Sequence, residues 1–174
     1  MHKPAAEEPV TSLHDLSAVD LIEGFKAGQF SPSEVLEDVL AHVAAWEPHI
    51  KALYAFDPDG ARAVAKASTD RWQKGEPMGV LDGVPVTIKD NIGVAGWPMR
   101  RGSAMASDAA FAEDAPAAAR LREAGTVFLG KTTMPEYGWK GVGDSPLSGI
   151  TRNPWDLATG PGGSSAGAAS CAAL

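Results

Sequence analysis

The run Gly83-Val84-Pro85-Val86-Thr87-Ile88-Lys89-Asp90-Asn91 is where the chain changes character. A turn at Leu81-Asp82-Gly83 leads into a β-branched segment that ends in a lysine and two polar residues. Val86, Thr87 and Ile88 suit a strand, because branched side chains pack well on a pleated surface. Further on, residues 114–124 form an alanine-rich helical pattern stopped by Gly125. Residues 126–130 are a short, wholly apolar run of the kind buried on both faces of a parallel sheet. Strand, helix and strand in this order predict a right-handed crossover within an α/β sheet.

Working back towards the N-terminus, the pattern becomes helical. Residues 1–12 have the composition of a disordered leader. Ser17 is placed to cap a helix over residues 18–27, with Val19, Leu21, Ile22 and Phe25 on its apolar face and Gly28 as its stop. Ser31-Pro32-Ser33-Glu34 combines an N-cap serine, a proline at the first helical position and a glutamate at the third. The helix it opens is expected to end near Trp46, ahead of Pro48. Residues 50–56 alternate as a strand does. Pro58 opens a third helix to about Lys74, closed by Gly75. Residues 1–75 are therefore expected to be a helical segment, and residues 76–174 the first part of an α/β core. Towards the other end, residues 151–163 are irregular, and an alanine-rich helix starts at Ala166.

The composition excludes several function classes. With 44% hydrophobic and 21% charged residues, the chain can bury a core. A net charge of -7 argues against nucleic acid or an anionic membrane as partner, since both attract basic surfaces. The single cysteine, Cys171, allows no intrachain disulfide, and Met1-His2-Lys3-Pro4 does not open a secretory leader. No apolar run approaches the roughly 20 residues of a membrane span. A soluble, cytoplasmic protein is expected.

Two places can carry chemistry. Lys89 ends an apolar strand. A lysine drawn into a low-dielectric site loses the hydration of its ammonium form and becomes available as a neutral base. A solvated lysine paired with Asp90 fits the same residues, so both readings stay open. The second place is Gly160-Pro161-Gly162-Gly163-Ser164-Ser165-Ala166-Gly167, which opens the last helix. It lacks the Lys-[Ser/Thr] of a phosphate loop. Residues 163–167 match G-x-S-x-G, but a nucleophile elbow needs a preceding strand and a later histidine. All four histidines, His2, His14, His42 and His49, lie far upstream. A plain capping loop also remains open. No serine has a lysine three residues on, and the histidines and Cys171 show no metal-ligand spacing, so no metal or other cofactor is expected.

Taken together, the blocks resemble the amidase signature family. The resemblance runs from about Gly83 onward. It is carried by residues 83–91, by Gly130-Lys131-Thr132-Thr133-Met134-Pro135-Glu136, by Thr151-Arg152-Asn153-Pro154-Trp155-Asp156 and by Gly162-Gly163-Ser164-Ser165. It implies an α/β fold, a mixed β-sheet sandwiched by helices. It also implies hydrolysis of small carboxylic amides to acid and ammonia or amine, through an acyl-enzyme. By motif position Lys89 is the base and Ser164 the relay serine, with a cis Gly163–Ser164 bond. Gly162, Gly163 and Ser165 support the loop. The family's nucleophilic serine lies in a second glycine–serine segment. That segment is not in this chain, which is expected to be the truncated N-terminal portion of an amidase and inactive alone. Ser170 has no glycine turn before it and is rejected as a substitute.

Tyr137, Gly138 and Trp139 follow the Met-x-Glu block and suggest an apolar pocket wall for aryl or alkyl amides. That favours a stand-alone amidase. The alternatives are the glutaminase subunit of the complex that amidates mischarged transfer RNA, and a non-catalytic truncated product. Oligomeric state is not legible, and a homo-oligomer is allowed.

Overall fold

A computed structural model describes residues 12–174. The expected leader lies almost wholly outside these residues.

Local chemistry sets the first three helices. Helix α1 (Ala18–Ala27) and helix α2 (Pro32–Ile50) each begin with a full capping box, Ser17 with Asp20 and Ser31 with Glu34. Gly28 closes α1 in the left-handed region at φ 64°, where a residue with a Cβ is disfavoured. Helix α3 (Pro58–Lys74) is capped by Asp57, whose carboxylate accepts the Gly60 N–H, and is closed by Gly75.

Helix α2 does not stop ahead of Pro48 as expected but runs on to Ile50. Proline costs one hydrogen bond there, near the end of the helix. Tertiary contacts offset that loss. Ile50 is buried, and the Glu47 carboxylate accepts the N–H groups of Ala52 and Leu53 at 3.0 and 2.8 Å. Burial pushes the Glu47 carboxyl above the usual range, against the pull of those two bonds. With Ile50 still helical, the strand expected over residues 50–56 shrinks to β1 (Leu53–Tyr54).

The sheet is mixed. Strand β2 (Pro85–Lys89) runs parallel to β3 (Val127–Thr132), and β1 pairs antiparallel with β3 on its other edge. Between β2 and β3 lies helix α4 (Pro116–Glu123), two residues shorter at its start than expected. Asp114 is occupied elsewhere: it accepts the Ala95 N–H and pairs with Arg122. A two-stranded ribbon, β4 (Asp144–Ser145) with β5 (Gly149–Ile150), precedes helix α5 (Ala166–Ala172).

Helices cover both faces of β3. Val127 and Leu129 pack with Leu36 and Leu40 of α2 and Ala61 and Ala65 of α3. Phe128 packs the other way, with Ile88, Val94 and Ala118 of α4. Each buried Val or Leu contributes about 1.5–3 kcal/mol, so this double burial makes β3 the spine of the fold. Gly83, at φ +89°, lets the chain enter β2 beneath α2, since a Cβ there would stand 2.6 Å from the Pro32 ring.

One irregularity in the sheet matters for the site. Val86 stands beside Phe128, but Thr87 stands beside Gly130, so Leu129 is the extra residue of a bulge. In unbroken register Lys89 would face Lys131 directly. The shift pairs Lys89 with Thr132 and Ile88 with Lys131. Successive side chains of a strand alternate faces, so the two lysines leave the sheet on opposite sides.

Candidate active site

The carboxyl end of β2 presents Lys89 to the glycine–serine loop. Its Nζ donates to Ser164 Oγ at 3.0 Å and to Ser165 Oγ at 2.9 Å. The Gly163–Ser164 peptide bond is cis. Asp90 does not pair with Lys89, so the solvated pair considered from sequence is not what forms. The buried Asp90 carboxylate instead accepts the N–H groups of Arg100 and Gly102 at 3.1 and 2.7 Å and the Tyr54 hydroxyl. Burial, and then Asp90 beside it, push the Tyr54 phenol upward. That hydroxyl is therefore a donor.

The loop is held by close backbone approach. A Cβ on Gly163 would lie 2.6 Å from the Val142 carbonyl oxygen, so a larger residue cannot sit there without moving the backbone at Val142. Gly162, at φ +86°, supplies the left-handed turn before it. Behind the loop, α5 docks on the sheet through Gly167, whose N–H donates to the Thr133 carbonyl at 3.0 Å. Thr133 Oγ1 and Thr151 Oγ1 are 2.6 Å apart, and Thr151 Oγ1 donates to the Lys51 carbonyl. These bonds tie the ends of α2, β3 and the irregular segment to the base of α5. A Cβ on Gly167 would meet the Ala52 carbonyl oxygen and lie 2.5 Å from the Thr133 nitrogen. Gly167→Ala is thus expected to destabilise by about 1–3 kcal/mol through overpacking against backbone. A chemical-denaturation midpoint on the complete protein checks this.

The three residues suggested as pocket wall separate in the structure. Gly138 approaches the relay position, since a Cβ there would be 3.7 Å from Ser164 Oγ. Tyr137, at φ 52°, and Trp139 are largely exposed. Ser170 is buried and donates to the Arg152 carbonyl at 2.8 Å, so its hydroxyl is committed to the fold. The histidines His14, His42 and His49 belong to the turn Leu13–Asp15 and to α2. Lys89 and Ser164 are not among the residues lining the apolar cavity of about 370 Å³ between α1, α2 and α5. Cys171 does line that cavity. Burial, then Glu47, push its thiol up to about 12, which keeps it protonated and unreactive. Among the described residues no group of three or more His, Cys, Asp or Glu is placed to hold a metal ion. Nor is any helix there long and apolar enough to cross a membrane.

Sequence reasoning gave no role to Lys131. It is fully buried on the far side of the sheet from Lys89. Its Nζ donates to the carbonyls of Ile92 at 2.6 Å, Pro98 at 3.3 Å and Asp90 at 3.4 Å. Burial pushes its ammonium below the ordinary lysine value, and the Asp90 charge opposes that. The sequence offers only a weak signal, a lysine directly after the short run 126–130 and followed by uncharged Thr132, Thr133 and Met134.

A mixed sheet between helices thus places a strand-end lysine against two loop serines, with none of the described histidines bonded to them. The family model described as Amidase matches residues 34–174, and the chain belongs to that family. It is 39% identical over 162 residues to an acylamidase of Rhodococcus erythropolis, covering 93% of this chain and 34% of that protein. It is 37% identical over 164 residues to a glutamyl-tRNA(Gln) amidotransferase subunit of Chloroflexus aurantiacus, covering 94% of this chain and 34% of that one. The solved structure of a bacterial aryl acylamidase of the amidase signature family superposes with a TM-score of 0.84 at 34% identity, over 91% of this chain and 33% of the other. The chain thus spans about a third of the length of the curated relatives it matches.

Proposed function

We propose that the complete protein is an amidase that hydrolyses small carboxylic amides through an acyl-enzyme. The observation that carries this reading is the contact of Lys89 Nζ with Ser164 Oγ and Ser165 Oγ. In this reading Lys89 is the base that takes the proton of the Ser164 hydroxyl. Ser164 in turn takes the proton of a nucleophilic serine supplied outside these 174 residues. The nucleophile attacks the amide carbonyl. The proton returns through Ser164 to the departing nitrogen, and water then releases the acid by the same route. Ser165 keeps the lysine on the loop, and Gly162 and Gly163 give the loop its close turn. Gly138 lies beside the relay serine, where substrate would pass, and Tyr137 and Trp139 offer apolar surface nearby. By itself the 174-residue chain is expected to be inert. A cytoplasmic location belongs to the same reading.

The test is direct. The complete protein should release ammonia or amine from simple aryl or alkyl amides and become labelled on a serine by a fluorophosphonate. Absence of both would end the proposal. The similarity to an amidotransferase component favours a second reading, a glutaminase working within a complex. Ammonia release from glutamine only when partner proteins are added would decide for it. Release from aryl amides by the protein alone decides for the stand-alone amidase.

A further inference from the structure

We propose that Lys131 is a positioning residue for the Lys89–Ser164 pair, acting as an internal cation that holds the segment leaving β2. This rests on the amidase reading above. Three backbone carbonyls, of Asp90, Ile92 and Pro98, converge on its Nζ. They all belong to the nine residues that follow Lys89. A buried ammonium with unmet donors is costly, so it holds whatever carbonyls surround it. The Ile92 N–H in turn donates to the Lys89 carbonyl at 3.0 Å, and the Asp90 N–H to the Thr132 carbonyl at 3.2 Å. The backbone that carries Lys89 is therefore closed by the same turn that Lys131 gathers.

The hold passes onward through named contacts. Asp90 and Pro98 stand under Arg100 and Gly102, whose N–H groups the Asp90 carboxylate accepts. The Tyr54 hydroxyl spans Asp90 and the Pro98 carbonyl, which Lys131 also touches. The Arg101 carbonyl accepts the Tyr137 N–H at 2.8 Å. Gly102 fits against the Met134 carbonyl oxygen with no room for a Cβ, and the Pro135 carbonyl lies just beyond it. Tyr137 leads into Gly138, which lies beside Ser164. Lys131 is thus at the root of two branches, one ending on the Lys89 backbone and the other on the wall behind Ser164. The bulge in β3 makes this possible, because it turns Lys131 away from Lys89 and towards the 90–98 turn.

The test compares Lys131→Met and Tyr54→Phe in the complete protein, reading amide turnover and residue-resolved amide hydrogen exchange. Lys131→Met should lower kcat by about 10–100-fold with KM changed less than about threefold, because misplacement by a fraction of an ångström costs rate more than binding. Exchange at Gly102 and Tyr137 should accelerate about tenfold or more while α2 and α3 stay protected. Tyr54→Phe removes one hydroxyl from the same cluster and should show the same pattern at about threefold to tenfold in kcat. Should Lys131→Met not fold, Tyr54→Phe decides alone. Unchanged kcat and unchanged exchange at Gly102 in the variant that folds would overturn the proposal. So would faster exchange spread evenly over the chain, which is what a merely structural role predicts. If the parent protein shows no amide hydrolysis, the amidase reading fails instead, and the exchange pattern still reports whether Lys131 holds the turn.

Discussion

Lys89→Ala in the complete protein is expected to lower kcat for amide hydrolysis by at least about 10³-fold, in the upper part of the range for losing a positioned acid–base group. The reason is the lack of any substitute. Ser164 and Ser165 both accept hydrogen bonds from this one Nζ. Lys131, the nearest lysine in the strand register, leaves the sheet on the opposite face and is occupied by three carbonyls. Asp90 is committed to Arg100, Gly102 and Tyr54. No described histidine is a hydrogen-bond partner of Lys89, Ser164 or Ser165; His14, His42 and His49 belong to the first turn and α2. Folding should survive, because Lys89 is only half-buried and the burial around β2 is made by Val84 and Ile88. The measurement is kcat and KM alongside a circular-dichroism melt. Turnover within about tenfold of the parent with an unchanged melt would remove Lys89 from the base position.

The elements legible in the sequence are those set by short-range chemistry. Ser17, Ser31, Pro58 and Gly75 act on their own turns, and the helices they bound begin or end where local propensity places them. The strand of residues 85–89 and the parallel partner after α4 were legible for a similar reason, since apolar runs bounded by turns have few alternatives. Pro48 misled because the contacts that carry α2 past it, Ile50 in the core and Glu47 on the next two amides, are tertiary. In the site, Lys89 and Ser164 were legible as motif positions. The destination of Asp90 was not, because a charged neighbour in sequence looks like a partner until the strand fixes which way each side chain leaves. Lys131 was illegible for the same reason on a larger scale. Its ligands are carbonyls, which every residue has, and only the bulge at Leu129 decides that it meets them.

Ser164→Ala should cost about as much as Lys89→Ala, and the double variant should be no slower than either alone. In a relay the lysine acts only through the serine, so removing one member leaves the other with nothing to do, and the losses do not add. Two independent contributions of about 10³-fold each would instead multiply to about 10⁶-fold in the double variant. Ser165→Ala separates the two loop hydroxyls. Ser165 Oγ also bonds Lys89 Nζ, but Ser164 is the residue against which Gly138 closes. A loss of only about tenfold is therefore expected for Ser165→Ala, in line with one lost hydrogen bond. The comparison needs kcat for the parent, the three single variants and the double variant under one set of conditions, with Gly163 untouched so that the loop keeps its seat on Val142. Multiplicative losses in the double variant would mean that Lys89 reaches the reacting atoms without Ser164. A Ser165→Ala defect equal to that of Ser164→Ala would move the relay one residue along the loop.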